Sequence, residues 1–113
     1  MERPVKTAAL GFMKLMRLRG RSLAVFLVTG SVMDKNVLAF PSPKGFPRPD
    51  TKSEPLGEIF LNPDYIKSRG EDLFYMLCHG FLHLLGYNHR RRRDTIKMER
   101  KERNLLGKIS VIK

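Results

Sequence analysis

Apolar residues recur in helical steps at both ends of the chain and form short continuous runs in the middle. The helical steps predict helices that bury one face, over residues 4–19, 71–85 and 94–106. The continuous runs, rich in β-branched and aromatic residues, predict strands over residues 22–29, 36–40 and 57–61. This order predicts an α+β fold in which a small mixed β-sheet packs against helices.

Turn-forming residues mark the connections between these elements. Residues 41–56 hold five of the seven prolines and predict a long irregular loop. Asn62 and Pro63 fit a helix cap and first turn, which predicts a short helix over residues 64–68. Gly20 stands where the first helix is expected to stop.

Length and composition narrow the class of protein. A chain of 113 residues, 42% of them apolar, suits a single domain over residues 1–113 with its own core. The lone Cys78 excludes an intrachain disulfide framework and suits a reducing compartment. No apolar run approaches the ~20 residues that span a bilayer, so no membrane association through a span is expected. We expect a cytoplasmic protein; the basic N-terminal stretch also fits a mitochondrial transit peptide, although it lacks serine.

The charge points to an anionic partner. The net charge is +11 at pH 7, and both ends of the chain are basic. Such a balance indicates nucleic acid or an acidic membrane surface. Four consecutive arginines, residues 90–93, form either an RNA contact or a solvated basic face. Among the aromatic residues, Phe46 in the proline-rich loop is the candidate for stacking on bases, whereas Phe40 is expected in the core.

All three histidines lie within the eleven residues HGFLHLLGYNH, residues 79–89. His79 and His83 are four residues apart, so their rings share one helical face at a separation that suits two ligands of one zinc ion. Gly86 can end the helix with a positive φ, and the turn can then bring His89 to the same metal. Three imidazoles leave one coordination position open, which is typical of a catalytic zinc site.

Two neighbouring residues bear on the type of site. A structural zinc site would need a fourth ligand, and Cys78 is a candidate. Because it is adjacent to His79, its side chain points about 100° away around the helix, and the alternative is that Cys78 is a core residue. The histidine spacing also matches the metzincin proteases, whose general base follows the first histidine. That position holds Gly80, which disfavours a protease and leaves an electrophilic metal acting on another substrate.

The histidine segment resembles the signature of the YbeY family, His-Gly-x-x-His-Leu-x-Gly-Tyr-Asp-His. NVLAFP (36–41) is similar to the family's DVLSFP, and LGEIFL (56–61) to its LGDI strand. Met98 and Glu102 match a Met and a Glu four residues apart on the final helix. The resemblance covers residues 23–106.

The resemblance implies an α+β fold, one Zn²⁺ on His79, His83 and His89, and cleavage of single-stranded RNA. It further implies a role in 3′-end maturation of small-subunit (16S) ribosomal RNA and in ribosome quality control, with ribosomal RNA and the small ribosomal subunit as partners. The chain departs from the family between its first two strands. Only GSVMDK (30–35) stands there, and the family's arginine near the metal has no counterpart, so we expect a shortened member.

Two further residues are candidates for the chemistry. Glu58, in place of the family's Asp, would accept a histidine N–H or carry a proton, or else be an exposed strand carboxylate. Arg90 would bind phosphate, or else belong to the solvated basic run. The leading hypothesis is a zinc-dependent RNA hydrolase. The alternatives are a catalytically weakened RNA- or ribosome-binding protein with structural zinc, and a metalloprotease-like hydrolase.

Overall fold

The computed structural model describes residues 2–18, 20–29, 35–42 and 54–112. The described residues form four helices and three strands: α1 (Glu2–Leu15), β1 (Arg21–Leu27), β2 (Val37–Pro41), β3 (Glu54–Leu61), α2 (Pro63–Ser68), α3 (Leu73–Leu84) and α4 (Arg92–Ile112). The predicted α+β class is confirmed. Phe46 and most of the predicted proline-rich loop lie outside the described residues, as does most of the segment 30–35.

The three strands form one mixed sheet in the order β1-β3-β2. Strand β1 runs parallel to β3, with Phe26 beside Phe60, and a register shift falls between Ser22 and Leu23. Strand β2 runs antiparallel to β3, with Phe40 beside Glu58. Strand β3 is therefore the central strand, and its side chains point alternately to the face that packs against the helices and to the opposite face.

One face of the sheet packs against α3. Ile59 and Leu61 are fully buried, and Ile59 lies directly under Gly80 of α3. Because side chains alternate along a strand, Glu58 and Phe60 point to the opposite face. Phe60 contacts Phe26 and Phe40 there, with ring centroids 5.0 Å and 5.8 Å apart.

The expectation that Phe40 lies in the core is wrong. Phe40 is 50% exposed, because its register with Glu58 places it on the sheet face that the described helices leave open. Only the opposite face of the sheet reaches the main core.

The core lies between the sheet and helices α1, α3 and α4. Phe12 of α1 stacks on Phe81 of α3 with ring centroids 5.7 Å apart. Leu77 of α3 and Leu105 of α4 are buried in the same cluster. Helix α3 is thus packed from several sides, which holds its remaining polar face in a defined orientation.

The helix ends differ most from the prediction in α1 and α4. Helix α1 ends at Leu15, four residues earlier than predicted, because Arg17 already takes a left-handed conformation (φ 55°) ahead of Gly20 (φ 71°), and Leu18 N–H donates to the Met13 carbonyl at 3.0 Å. Helix α4 starts at Arg92 and continues to Ile112, well past the predicted residue 106. Among the described residues, no helix has the length and apolar character needed to cross a membrane.

Candidate metal centre

The three histidines converge at the carboxyl end of α3 and the turn that follows it. The Nε2 atoms of His79 and His83 are 3.1 Å apart. The ring centroid of His89 lies 5.5 Å from that of His79 and 5.0 Å from that of His83. One ligand atom from each ring falls within 4.8 Å of the others. The group could therefore hold a metal ion, and no group of protein ligands larger than this one occurs in the described part of the chain.

Local sequence explains why α3 presents this group. Asp72 caps the helix, since its Oδ1 accepts hydrogen bonds from the N–H groups of Phe74 (2.8 Å) and Tyr75 (3.1 Å). At the other end, Gly86 adopts φ 95°, and Tyr87 N–H donates to the Leu82 carbonyl at 3.0 Å. The chain reverses through this left-handed turn, as the position of Gly86 predicts.

The turn between Gly86 and α4 is closed by a side chain. Asn88 Oδ1 accepts a hydrogen bond from Arg90 N–H at 3.1 Å. An Asn or Asp side chain that bonds the backbone two residues on is a common turn device. The Asn at this position therefore keeps the local geometry that an Asp would provide, and it fixes the backbone on both sides of His89.

The separation of His79 and His83 suits two ligands of one tetrahedral metal ion such as zinc. Two nitrogens bound at about 2.0–2.1 Å in a tetrahedral arrangement lie about 3.3 Å apart, close to the 3.1 Å between the Nε2 atoms of His79 and His83. Burial lowers the pKa of His83, and the neighbouring His79 and His89 lower it further, against a hydrogen bond to the Tyr87 backbone that raises it. The neutral imidazole that a metal requires is thus favoured.

Glu102 of α4 lies next to His79 on the buried side of the histidine cluster. Its carboxylate is buried, and Oε2 lies 3.6 Å from Nδ1 of His79. Both atoms are buried, have no hydrogen-bond partner among the described residues, and lie just beyond hydrogen-bond length of each other. This pairing leaves Nε2 of His79 directed at His83 and available to a metal.

Tyr75 completes the surroundings of the carboxylate. Its ring stacks on His79 with centroids 6.3 Å apart, and its hydroxyl interacts electrostatically with Glu102. Burial raises the pKa of Tyr75, and the interaction with Glu102 adds to this, so the hydroxyl stays protonated and able to donate. Sequence reasoning gave neither residue a role, although Glu102 was part of the motif match.

The other candidate residues lie outside the cluster. Glu58 is exposed on the sheet face turned away from α3, so the structure does not bring it to the histidines. Arg90 is exposed on the turn directly after His89. Cys78 is fully buried in the core, and its thiol is not in the ligand group. Strand alternation is the physical reason for the position of Glu58, and Glu102 occupies the place that was expected for it.

Gly80 follows His79 where a metzincin carries its general base. A Cβ atom there would lie 3.1 Å from Val37 Cγ2 and 3.3 Å from Ile59 Cγ2. These contacts are tighter than ordinary van der Waals separation, so a glutamate has no room at this position. The helix faces the sheet here, and no general base can extend from this position.

Comparison with known proteins decides the family. The sequence model of the family Endoribonuclease YbeY matches residues 30–110. The chain belongs to the Endoribonuclease YbeY family. The YbeY protein of Nitrobacter hamburgensis is 34% identical over 86 residues, which cover 67% of this chain and 45% of that protein. The YbeY protein of Bartonella henselae is 36% identical over 92 residues, which cover 73% of this chain and 56% of that protein.

The YbeY match includes the entire histidine cluster and most of α4, with Glu102. The chain spans about half the length of the curated YbeY relatives it matches. The matched region starts after β1, whereas the motif resemblance extended to residue 23. The YbeY assignment therefore rests chiefly on the region that forms the metal centre and its support.

Proposed function

We propose that this chain is a zinc-dependent endoribonuclease that cleaves single-stranded RNA, with one Zn²⁺ held by His79, His83 and His89. The observation that carries the proposal is the convergence of three imidazoles, with two Nε2 atoms 3.1 Å apart, in a member of the Endoribonuclease YbeY family. The exposed edge of the cluster at His89 leaves room for a substrate to approach from solvent.

The residues of the chain have distinct roles in this proposal. When bound, the zinc ion supplies a Lewis acid for a phosphate oxygen and activates water at neutral pH. Glu102, 3.6 Å from Nδ1 of His79, favours the tautomer that carries its proton on Nδ1 and presents Nε2 to the metal. Tyr75, whose hydroxyl interacts with Glu102, helps to hold the carboxylate in place. These two residues are positioning residues, because they act through His79.

RNA binding is assigned to the basic residues beside the cluster. Residues 90–93 are all exposed and follow His89 directly, so they can neutralise phosphates on either side of the scissile bond. Arg90, the first of them, is the candidate for contact with the reacting phosphate, since a guanidinium binds phosphate through two hydrogen bonds. We propose small-subunit (16S) ribosomal RNA, in its 3′-end maturation in the cytoplasm, as the substrate, with the small ribosomal subunit as partner.

The cleavage test uses one labelled RNA in two forms, single-stranded and annealed to its complement. Protein stripped with a chelator and then reloaded with Zn²⁺ is expected to cleave only the single strand, and stripped protein is expected to cleave neither. His83→Ala should bind the RNA with an unchanged Kd and leave it intact. Cleavage that survives both the chelator and His83→Ala would overturn the proposal. Zinc binding without cleavage would favour the RNA- or ribosome-binding alternative.

A further inference from the structure

A polar depression lies beside the turn that carries His89. It has a volume of about 220 Å³, between the end of α3 and the first two turns of α4, and is lined by Leu85, Gly86, Tyr87, Asn88, Asp94 and Lys97. Because Asn88 directly precedes His89, the Cα atoms of these two residues are about 3.8 Å apart. An RNA strand with one phosphate at the histidine cluster can therefore place a neighbouring nucleotide in this depression.

The size and composition of the depression suit one nucleobase. Pockets for drug-sized ligands have volumes of roughly 300–1,000 Å³, so this smaller space fits a single ring system. The ring of Tyr87 is half-buried, since it packs against the core and also lines the depression. Single-stranded RNA is typically recognised through bases that stack on aromatic rings while their edges form hydrogen bonds. Tyr87 supplies such a ring.

The polar side chains of the depression have groups that are available to a ligand. Asn88 Oδ1 accepts the hydrogen bond from Arg90 N–H, which leaves the Nδ2 group of Asn88 as a donor. Asp94 and Lys97 are three residues apart on α4, yet among the described residues the side chain of neither forms an ion pair or a hydrogen bond. One acceptor group and two donor groups therefore line the same small space.

The carboxylate of Asp94 stands in a strongly basic part of the sequence. It follows four arginines and is the only acidic residue between Asp72 and Glu99. A surface that contacts phosphates alone would lose affinity through a carboxylate, because the two anions repel each other. Phosphate contacts position a nucleic acid, whereas contacts to base edges specify it. The arginines can thus hold the RNA backbone while Asp94 contacts a base.

Hydrogen-bond chemistry decides which base suits a carboxylate. An ionised carboxylate accepts hydrogen bonds at two oxygens and donates none. Guanine presents two adjacent donors, N1–H and N2–H, on its Watson–Crick edge, and its O6 acceptor lies beside them. Adenine and cytosine present an acceptor nitrogen next to the amine, and uracil has a carbonyl oxygen on each side of its N–H. These acceptors would face the negative charge, so guanine is the favoured base.

We propose that this depression is a subsite for a guanine base next to the scissile phosphate. Asp94 accepts hydrogen bonds from N1–H and N2–H of the base. Tyr87 stacks on its ring, and Asn88 and Lys97 donate to O6. The inference rests on the proposed cleavage of single-stranded RNA and adds a base preference to it. Because none of these side chains belongs to the histidine group, the preference can be measured without metal.

Four labelled RNA pentamers test the subsite. One is a uridine pentamer, and in the others the central base is guanine, adenine or cytosine. Fluorescence anisotropy measures their binding to protein stripped of metal, so that the RNA stays intact. We expect the guanine pentamer to bind at least about tenfold more tightly than each of the others, which is the discrimination that one bidentate contact to a base provides. The side-chain amide signals of Asn88 in NMR spectra should shift with the guanine pentamer and not with the uridine pentamer.

Variants connect the preference to the carboxylate. Asp94→Asn should reduce the guanine preference to less than about twofold, because the amide offers a single acceptor oxygen, and it should not weaken binding of the uridine pentamer. Asp64→Asn makes the same change in the first turn of α2 and should keep the preference. Asp94 also stabilises the first turn of α4, but loss of that effect alone would weaken all four pentamers equally. Tyr87→Phe retains the stacking ring and should bind like the unchanged protein.

Two results would overturn the inference: equal affinity for the four pentamers, or a guanine preference that survives in Asp94→Asn. Both are separable from failure of the nuclease proposal. A protein that binds the four pentamers equally, yet cleaves the single strand when reloaded with Zn²⁺, would keep the proposed function and remove the subsite. Guanine-selective binding by a reloaded protein that cleaves nothing would support the base site within the RNA-binding alternative.

Discussion

Nδ1 of His79 and Oε2 of Glu102 face each other across the packed surfaces of α3 and α4, 3.6 Å apart. The side chain of Glu102 is 3% exposed, and that of His79 is 23% exposed. A buried carboxylate that faces the outer nitrogen of a metal-binding imidazole fixes the tautomer and raises the basicity of the ligand. The pair therefore connects the packing of α4 to the chemistry of the site.

Glu102→Gln should lower the affinity for zinc about 10- to 100-fold, because the neutral amide keeps the volume but loses the charge that supports His79. Competition against a chelating dye measures the affinity without requiring catalysis. Glu99→Gln is the matched control. It makes the same change from carboxylate to carboxamide at an exposed position one turn earlier on α4, and it should bind zinc normally. Equal affinity in both variants would remove the positioning role.

The cap of the histidine helix makes a second prediction. Asp72→Ala should lower the free energy of unfolding by about 1 kcal/mol, since the side chain satisfies two N–H groups at the start of α3. Asp72→Asn should lose much less, because the amide oxygen can still cap. Urea denaturation of the three proteins gives the comparison, and an Asp72→Ala protein as stable as Asp72→Asn would contradict it.

One substitution, Gly80→Glu, would place a glutamate directly after His79, as in the metzincin proteases. Gly80→Glu should destabilise the fold by more than about 3 kcal/mol, since it adds a charged side chain against Val37 and Ile59. Gly107→Glu is the control, because a Cβ atom added at this exposed helical glycine would have no contact within 4 Å. It should be neutral or stabilising by about 0.5 kcal/mol. Thermal unfolding distinguishes them. A stable Gly80→Glu protein that degrades casein would contradict this view of the site.

Burial raises the pKa of the Cys78 thiol to about 12, and the charge of Glu102 contributes. The thiolate is the reactive form, so native protein at pH 8 should react with a thiol reagent at least about a hundredfold more slowly than unfolded protein. The native rate should keep rising as the pH increases above 9. A protein with Cys78→Ala and Ser68→Cys, whose thiol is exposed on α2, should react rapidly.

Replacing Cys78 distinguishes a metal site formed by three histidines from a structural site with a fourth, cysteine ligand. Cys78→Ala should retain zinc, because the cysteine lies in the core and not in the histidine group. Loss of the metal in this variant would support a four-ligand structural site. Metal content measured after gel filtration is sufficient, provided that the variant elutes as folded protein.

The histidine cluster was predictable because local geometry decides it. His79 and His83 share a helical face through their spacing, and Gly86 provides the left-handed turn that returns His89. Each of these relationships spans eleven residues or fewer, so no tertiary information is needed. The α+β class was predictable for a similar reason, since periodicity alone separates the helices from the strands.

The residues around the cluster were harder to predict, because they depend on tertiary packing. The position of Glu58 depends on which face of the sheet the helices cover, and a strand of eight residues does not decide that by itself. Glu102 is 23 positions from His79, but the sequence did contain a signal. It is the charged residue within a buried stripe formed by Met98, Leu105 and Ile109 on one face of α4.

Metal stoichiometry tests the central claim most directly. Native mass spectrometry of the unchanged protein and of His83→Ala, both stripped and then incubated with equal amounts of Zn²⁺, gives the number of ions on each folded chain. We expect one zinc ion per unchanged chain and none on His83→Ala. No zinc on the unchanged protein, or one ion on both proteins, would contradict the assignment of the metal to His79, His83 and His89.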